Sequence, residues 1–260
     1  MRRTLTVVLL AGASFVTATI YAVDEPYGSD TLPRLFQNAA LIVQSSGAKP
    51  AGRTETVPRM LVFNVQIKQV FKAHKQSNDE TVSIQVPAAI SLEQKEFSRA
   101  ILFLAEVHDV ERAKLAPYEL MGGRHGLITN DARFLGTERY LTSRSAAEKA
   151  EWAGHYLKHD DSFFQRSAVF QAIDLASDLK SREAPRAFEL RNEALNWPKL
   201  ADSCKVAAVR GLSGLKTLEA TKVVAGFAEN SKTSPTLRRE AMRQMVGMPT
   251  GRKILEGWTK

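Results

Sequence analysis

The sequence predicts an α+β protein in two successive parts, a small β-structure followed by a stack of paired helices. Three observations carry the prediction. Residues 60–71 alternate, with Leu61, Phe63, Val65 and Ile67 on one side and Val62, Asn64, Gln66 and Lys68 on the other; that is the two-residue period of a half-buried strand. A second pattern recurs in the last hundred residues: Arg166-x-Ala168 with Ile173 returns as Lys205-x-Ala207 with Leu212, then as Arg239-x-Ala241 with Val246. The copies begin 39 and 34 residues apart, the length of one helix pair in a stacked array. Third, the two signals do not mix: strand patterning stops by residue 129, and helix caps start near Thr142. At 260 residues and 44% apolar, the chain has material for two modest cores.

Taken in order, residues 1–22 read as a secretory signal peptide. Arg2 and Arg3 precede an uncharged run over residues 4–22 that contains Val7-Val8-Leu9-Leu10 and then small residues. A charged start, a short apolar stretch and an exit in small residues are what export and cleavage require, with the cut after Ala18 or Ala22. An uncleaved membrane anchor is the alternative, since the run approaches spanning length. The expected location is therefore periplasmic, cell-surface or secreted.

Residues 23–140 form the predicted β-part, an antiparallel barrel or sandwich of at least five short strands. Asp30-Thr31 before Leu32-Pro33 starts a short helix with an early proline. It leads into the apolar run Leu41-Ile42-Val43, and residues 48–58 read as a loop. After the strand at 60–71 comes Thr81-Val82-Ser83-Ile84-Gln85-Val86, again alternating. Ile101-Leu102-Phe103-Leu104 is apolar on both faces, a strand covered on two sides. Residues 117–121 are a further strand, and Gly122-Gly123 turns into Leu127-Ile128.

Residues 141–260 form the predicted helical part. Ser145 with Glu148 makes a capping box. Asp160-Asp161-Ser162 caps a second helix with Phe164, Ala168 and Ala172 in a buried row and Val169 and Ile173 alongside. Ala187, Phe188, Leu190 and Leu195 mark a third, and Pro198 opens a fourth. A fifth starts at Thr217, Ser234-Pro235 caps a sixth, and residues 251–258 close the chain as a short helix. Cys204, the single cysteine, excludes an intrachain disulfide. It falls in the apolar row Leu200, Cys204, Ala208, Leu212, so a buried packing role is expected.

The net charge of +8 is unevenly placed. Residues 182–260 hold fifteen Lys or Arg against eight Asp or Glu, whereas the rest is nearly balanced. In an exported chain, a basic helical tail points to a protein or an anionic envelope component as partner, not to nucleic acid.

Two stretches resemble known families. Residues 40–43, 63–73, 101–104 and 118–126 are similar, strand for strand, to an exported bacterial module whose fold resembles the OB-like barrel of netrin-type and metalloproteinase-inhibitor domains. The animal inhibitors hold a protease metal through a disulfide-locked N-terminal cysteine; this chain has no such cysteine, so metalloprotease inhibition is not implied. Ala73 stands where that module has a glycine after the lysine. The tail resembles HEAT repeats in spacing and in its basic residue two before a small alanine, a site where helices approach closely.

The residues offer several candidate sites. Arg238, Arg239, Arg243, Arg252 and Lys253 crowd the last two helices, and Arg239 and Arg243 lie one turn apart, so they make the expected binding stripe. His155 and His159, four apart on a helix, share a face and are the weak metal candidates. Tyr156, however, occupies the place where a metalloprotease needs Glu. No Gly-x-Ser-x-Gly elbow and no nucleotide motif occurs. The reading is an exported, non-catalytic binding or scaffold protein without a cofactor, recognising its partner through barrel loops and the basic helical face. A protease-inhibitor-like barrel and a metal-dependent hydrolase using His155 and His159 are the alternatives.

Overall fold

Strand alternation closes the barrel. The computed structural model describes residues 31–53, 59–73, 80–90, 92–129, 131–175 and 184–258; the segment read as a signal peptide lies outside them. The strands are β1 (Leu41–Arg53), β2 (Met60–Ala73), β3 (Thr81–Pro87), β4 (Ala100–Glu106), β5 (Tyr118–Leu120) and β6 (Leu127–Ile128). Hydrogen bonding runs β1-β2-β3-β5-β4 and returns from β4 to β1, so five strands close on themselves and leave no long open edge. β6 pairs with the first half of β4, and β5 with its second half. Every pairing is antiparallel except β3 with β5, where Ile84 and Tyr118 lie in parallel register. That exception is invisible to alternation, which reports faces and not strand direction.

Two cores result, and β4 belongs to both. Ala100, Leu102 and Leu104 point into the barrel with Val43, Val65 and Ile84. Their neighbours Ile101 and Phe103 point the other way, into the helical core, joined by Ile42 from β1 and Ile128 from β6. The expectation of a strand covered on two sides holds. On the opposite wall, Asn64 and Gln66 of β2 are exposed, and the Ser83 hydroxyl of β3 donates to Asn64 Oδ1 at 2.7 Å. One end of the barrel is plugged by a 3-10 turn, Gln94–Phe97, whose Phe97 ring packs 5.0 Å from Phe63 and whose carbonyl accepts from the Ser45 hydroxyl at 2.7 Å.

The chain differs from the sequence reading in four places. Residues 48–53 continue β1 instead of looping, pairing Lys49 with Asn64 and Arg53 with Leu61. Gly47, Pro50 and Gly52 read as loop formers, but they sit where the register slips and the strand bends. A short helix, α2 (Val110–Leu115), bridges β4 and β5, and α3 (Asp131–Thr142) begins the helices ten residues earlier than expected. Gly136 disguises α3. A Cβ there would lie 2.4 Å from the Phe164 ring, so glycine is what lets that ring approach, and its carbonyl accepts from the Trp152 indole at 2.9 Å. Last, Pro198 lies in a turn, and the helix it was expected to open starts at Asp202.

The helices after α3 are α4 (Ala146–Tyr156), α5 (Ser162–Asp174), α6 (Ala184–Asn196), α7 (Asp202–Leu215), α8 (Leu218–Glu229), α9 (Pro235–Met245) and α10 (Gly251–Trp258). They pair as α4 with α5, α6 with α7 and α8 with α9, and α5, α7 and α9 follow one another in a single row. The three repeated alanines fall on that row and are 1, 5 and 0% exposed, so the sequence repeat is a repeat of environment. The capping box at Ser145 and the Ser234 cap form as expected, Asp161 is the capping residue of the 160–162 segment, and Thr217, read as the first residue of its helix, caps it instead. Cys204 is buried in the same core.

Between barrel and stack sits α1 (Leu32–Asn38). Its Leu32 amide donates to the Ser167 hydroxyl of α5 at 3.0 Å, and its last carbonyls, Phe36 and Gln37, accept from the Lys72 ammonium of β2 at 2.6 and 3.1 Å. A cation at a helix C-terminus is favourable. α1 therefore ties the barrel wall to the central helix of the stack.

Candidate functional site

The basic face is built by the period of α9. Leu237, Ala241 and Met245 are its buried row, which leaves Arg239 and Arg243 on the opposite side, followed by Val246 just past its end. Arg239 makes no side-chain hydrogen bond or ion pair among the described residues. Arg243 reaches only Glu240, at 3.9 Å, and that carboxylate is already taken: Arg210 of α7 donates to it at 2.8 Å and Gln244 at 2.8 Å. The Arg210 hydrogen bond holds the Glu240 carboxyl below the usual glutamate range, against its burial. Arg252 and Lys253 open α10 with both side chains exposed, while Ile254 and Leu255 pack inward.

Arg238 departs from this group. Its Nε donates to the Ala228 carbonyl at the end of α8, 3.3 Å away, so the side chain lies along the helix pair as a C-terminal cap. The structure thus leaves Arg239, Arg243, Arg252 and Lys253 exposed, and turns Arg238 to packing.

His155 and His159 share a helix end, but their surroundings are structural. The Asp161 amide donates to His159 Nδ1 at 3.0 Å, and Asp161 is itself gripped by Arg133 through two bonds of 2.6 and 3.0 Å. The His155 and His159 rings both pack on Tyr156. Burial pushes the Asp161 carboxyl up, but Arg133 and the Phe163 amide outweigh it, and the net shift is down. Among the described residues, no three His, Cys, Asp or Glu side chains stand close enough to hold a metal ion.

Two further features escaped the sequence. At the seam, the Lys149 ammonium of α4 rests 4.4 Å from the Phe36 ring centre and 4.5 Å from that of Tyr140, and Lys72 approaches Phe36 at 5.2 Å. Burial lowers the pKa of Lys149 and raises that of Asp174 nearby, which Arg34 meets at 3.7 Å. These partners come from α1, β2, α3, α4 and α5, so no sequence spacing links them. The second feature is an open groove of about 580 Å³ at the plugged end of the barrel, lined by Lys49, Gln66, Glu93 and Lys95 among others. Glu93 and Lys95, both on the plugging turn, pair with each other.

No helix among the described residues is long and apolar enough to cross a membrane. No protein-family model, no curated protein and no solved structure matches this chain.

Proposed function

We propose that this is an exported, non-catalytic binding protein, in which an OB-like barrel of netrin type is braced by a HEAT-like stack that presents a basic face to a protein or an anionic envelope partner. The observation that carries the reading is Arg239 and Arg243 standing one turn apart on the exposed side of α9, where the carboxylate that Arg243 meets, Glu240 at 3.9 Å, is shared with Arg210. Arg252 and Lys253 extend the same charge onto α10. Some cations elsewhere in the stack are paired, Arg191 with backbone carbonyls, Arg186 with Glu189 and Lys158 with Glu193, while Lys199, Lys222 and Lys232 are also exposed. Uncompensated like charge is unfavourable on a stable surface unless a partner of opposite sign repays it. The strand order, with its parallel β3–β5 closure, supports the OB-like assignment, and the equivalent burial of three repeat alanines supports the HEAT-like one. The charged start and the apolar run over residues 4–22 support export.

The test replaces Arg239 and Arg243 together by Glu. Both side chains are exposed, so the fold should persist by circular dichroism. Capture of an anionic component from envelope extract should fall at least tenfold on the scale of several surface charges reversed. Capture equal to that of the parent chain would overturn the proposal. Mass spectrometry of the exported protein should find its first residue at Thr19 or Val23.

A further inference from the structure

The basic face continues around one edge of the stack, and its composition there changes. The Arg210–Glu240 and Ser213–Gln244 pairs advance together along α7 and α9, so these two helices run parallel. α8 connects them as an antiparallel neighbour through short turns at residues 216–217 and 230–234. The C-termini of α7 and α9 and the N-terminus of α8 therefore lie at one edge. α10 starts at the same edge, because Gly251 sits against the Met245 carbonyl so closely that a Cβ would come within 2.1 Å of it.

Six side chains mark this edge: Lys216, Leu218, Arg243, Val246, Arg252 and Lys253. Leu218 and Val246 are each 52% exposed, at the tips of the α7–α8 and α9–α10 turns. The chain makes both turns through non-glycine residues with positive φ, Lys216 at 50° and Thr250 at 57°, so the protrusions are fixed parts of the backbone. In the terminal turns of α7 to α10 that form the edge, Glu219 is the single carboxylate.

We infer that this edge docks on the surface of an anionic phospholipid bilayer, Leu218 and Val246 entering the headgroup layer while the four cations meet lipid phosphates. This rests on the proposed reading and names the anionic partner within it. A polyanionic chain would be bound by the cations alone and gives no reason for two large apolar side chains held in water at the tips. A bilayer interface accommodates both, since it offers negative charge above an apolar layer. The free energy of such contact comes from several weak terms, so binding is reversible and salt-sensitive.

The experiment is co-sedimentation of the full chain with vesicles of phosphatidylcholine containing about one-third phosphatidylglycerol, compared with phosphatidylcholine alone. Arg2 and Arg3 beside the apolar run over residues 4–22 favour anionic vesicles too, but equally in every variant, so the decisive comparison is each variant against the parent chain. Preferential binding to the anionic vesicles is expected, with a loss of at least about tenfold for Lys216→Glu, Arg252→Glu, Lys253→Glu combined. Leu218→Ser with Val246→Ser, which keeps every charge, should weaken binding about threefold to tenfold. Equal binding to the two vesicle types, or no response to either variant, would overturn the inference. Binding that responds to the charge variant but not to the apolar one would also overturn it, and would point to a soluble polyanion. If anionic capture from extract depends on Arg239 and Arg243 while vesicles are ignored, the proposed function stands and only the membrane edge falls.

Discussion

The barrel and the stack bury similar side chains by opposite strategies. The barrel closes: its inner core is bounded by a ring of five strands and plugged by Phe97, so it has a fixed size. The stack is open: each helix pair covers the one before, and its core runs from Leu32 on α1 to Met248 beyond α9. A closed unit has no end to protect, whereas an open array must finish somewhere. Here α10 partly covers the last pair, and the exposed cations gather around that finish. On the proposed reading, recognition falls at the end of the array, and the barrel, at its shared wall, serves as a foundation.

All three tryptophans, at 152, 197 and 258, lie in the stack, so fluorescence follows that part and amide exchange in β1–β4 follows the other. The largest effect is expected where the cores meet. Phe103→Ala should cost about 3–5 kcal/mol and lower fluorescence and strand protection in one transition; separate transitions would show that the two parts do not share a core. Next is Arg191, fully buried, whose guanidinium donates to the carbonyls of Ala172, Ile173 and Gly211. Burial pulls it down to about 10, still protonated at neutral pH. Arg191→Met strands those carbonyls and should cost about 3 kcal/mol, with the loss read in tryptophan fluorescence under urea.

Gly211→Ala should cost about 2 kcal/mol by overpacking, since its new methyl would lie 2.7 Å from Ile173. Exchange should rise in α5 to α9 and stay unchanged in the strands; a rise in the strands would break the distinction. Acid provides a milder probe. Glu240 has a folded pKa below its unfolded one, so its stabilisation is complete above the ordinary glutamate value of roughly 4.3 and disappears as pH falls through the lowered folded value. Glu240→Gln should cost roughly 1–2 kcal/mol at neutral pH, because Arg210 is partly exposed, and should flatten that part of the acid dependence in a urea series. Smallest is Ser145→Ala, about 1 kcal/mol from a lost cap, seen as faster exchange at the start of α4 alone.

What the sequence made legible is what local physics controls. Alternation gave the faces of β2 and β3, because burial on a pleated sheet has a period of two, and the unbroken apolar run of β4 gave its burial on both sides. Capping gave the starts of α4, α5 and α9, because an orphan amide needs an oxygen nearby. The repeat placed Ala168, Ala207 and Ala241 in one environment; only its third apolar follower failed, since Val246 lies past the end of α9 with no further pair to cover it. Long-range facts were not legible. The parallel β3–β5 closure, the continuation of β1 through Pro50 and Gly52, and the helix through Gly136 each depend on a partner far along the chain. The candidate site was half legible. Arg239 and Arg243 follow from helical period, while the inward turn of Arg238 and the Lys149 seat between two rings need the assembled fold.

One consequence of the doubly buried β4 concerns how the molecule can be cut. A fragment ending at residue 129 would keep all six strands yet carry Ile42, Ile101, Phe103 and Ile128 as a bare greasy wall. Such a piece is expected to clump on expression, so testing the barrel against proteases calls for the intact chain, and any ancestor that lacked the stack needed another lid for that wall.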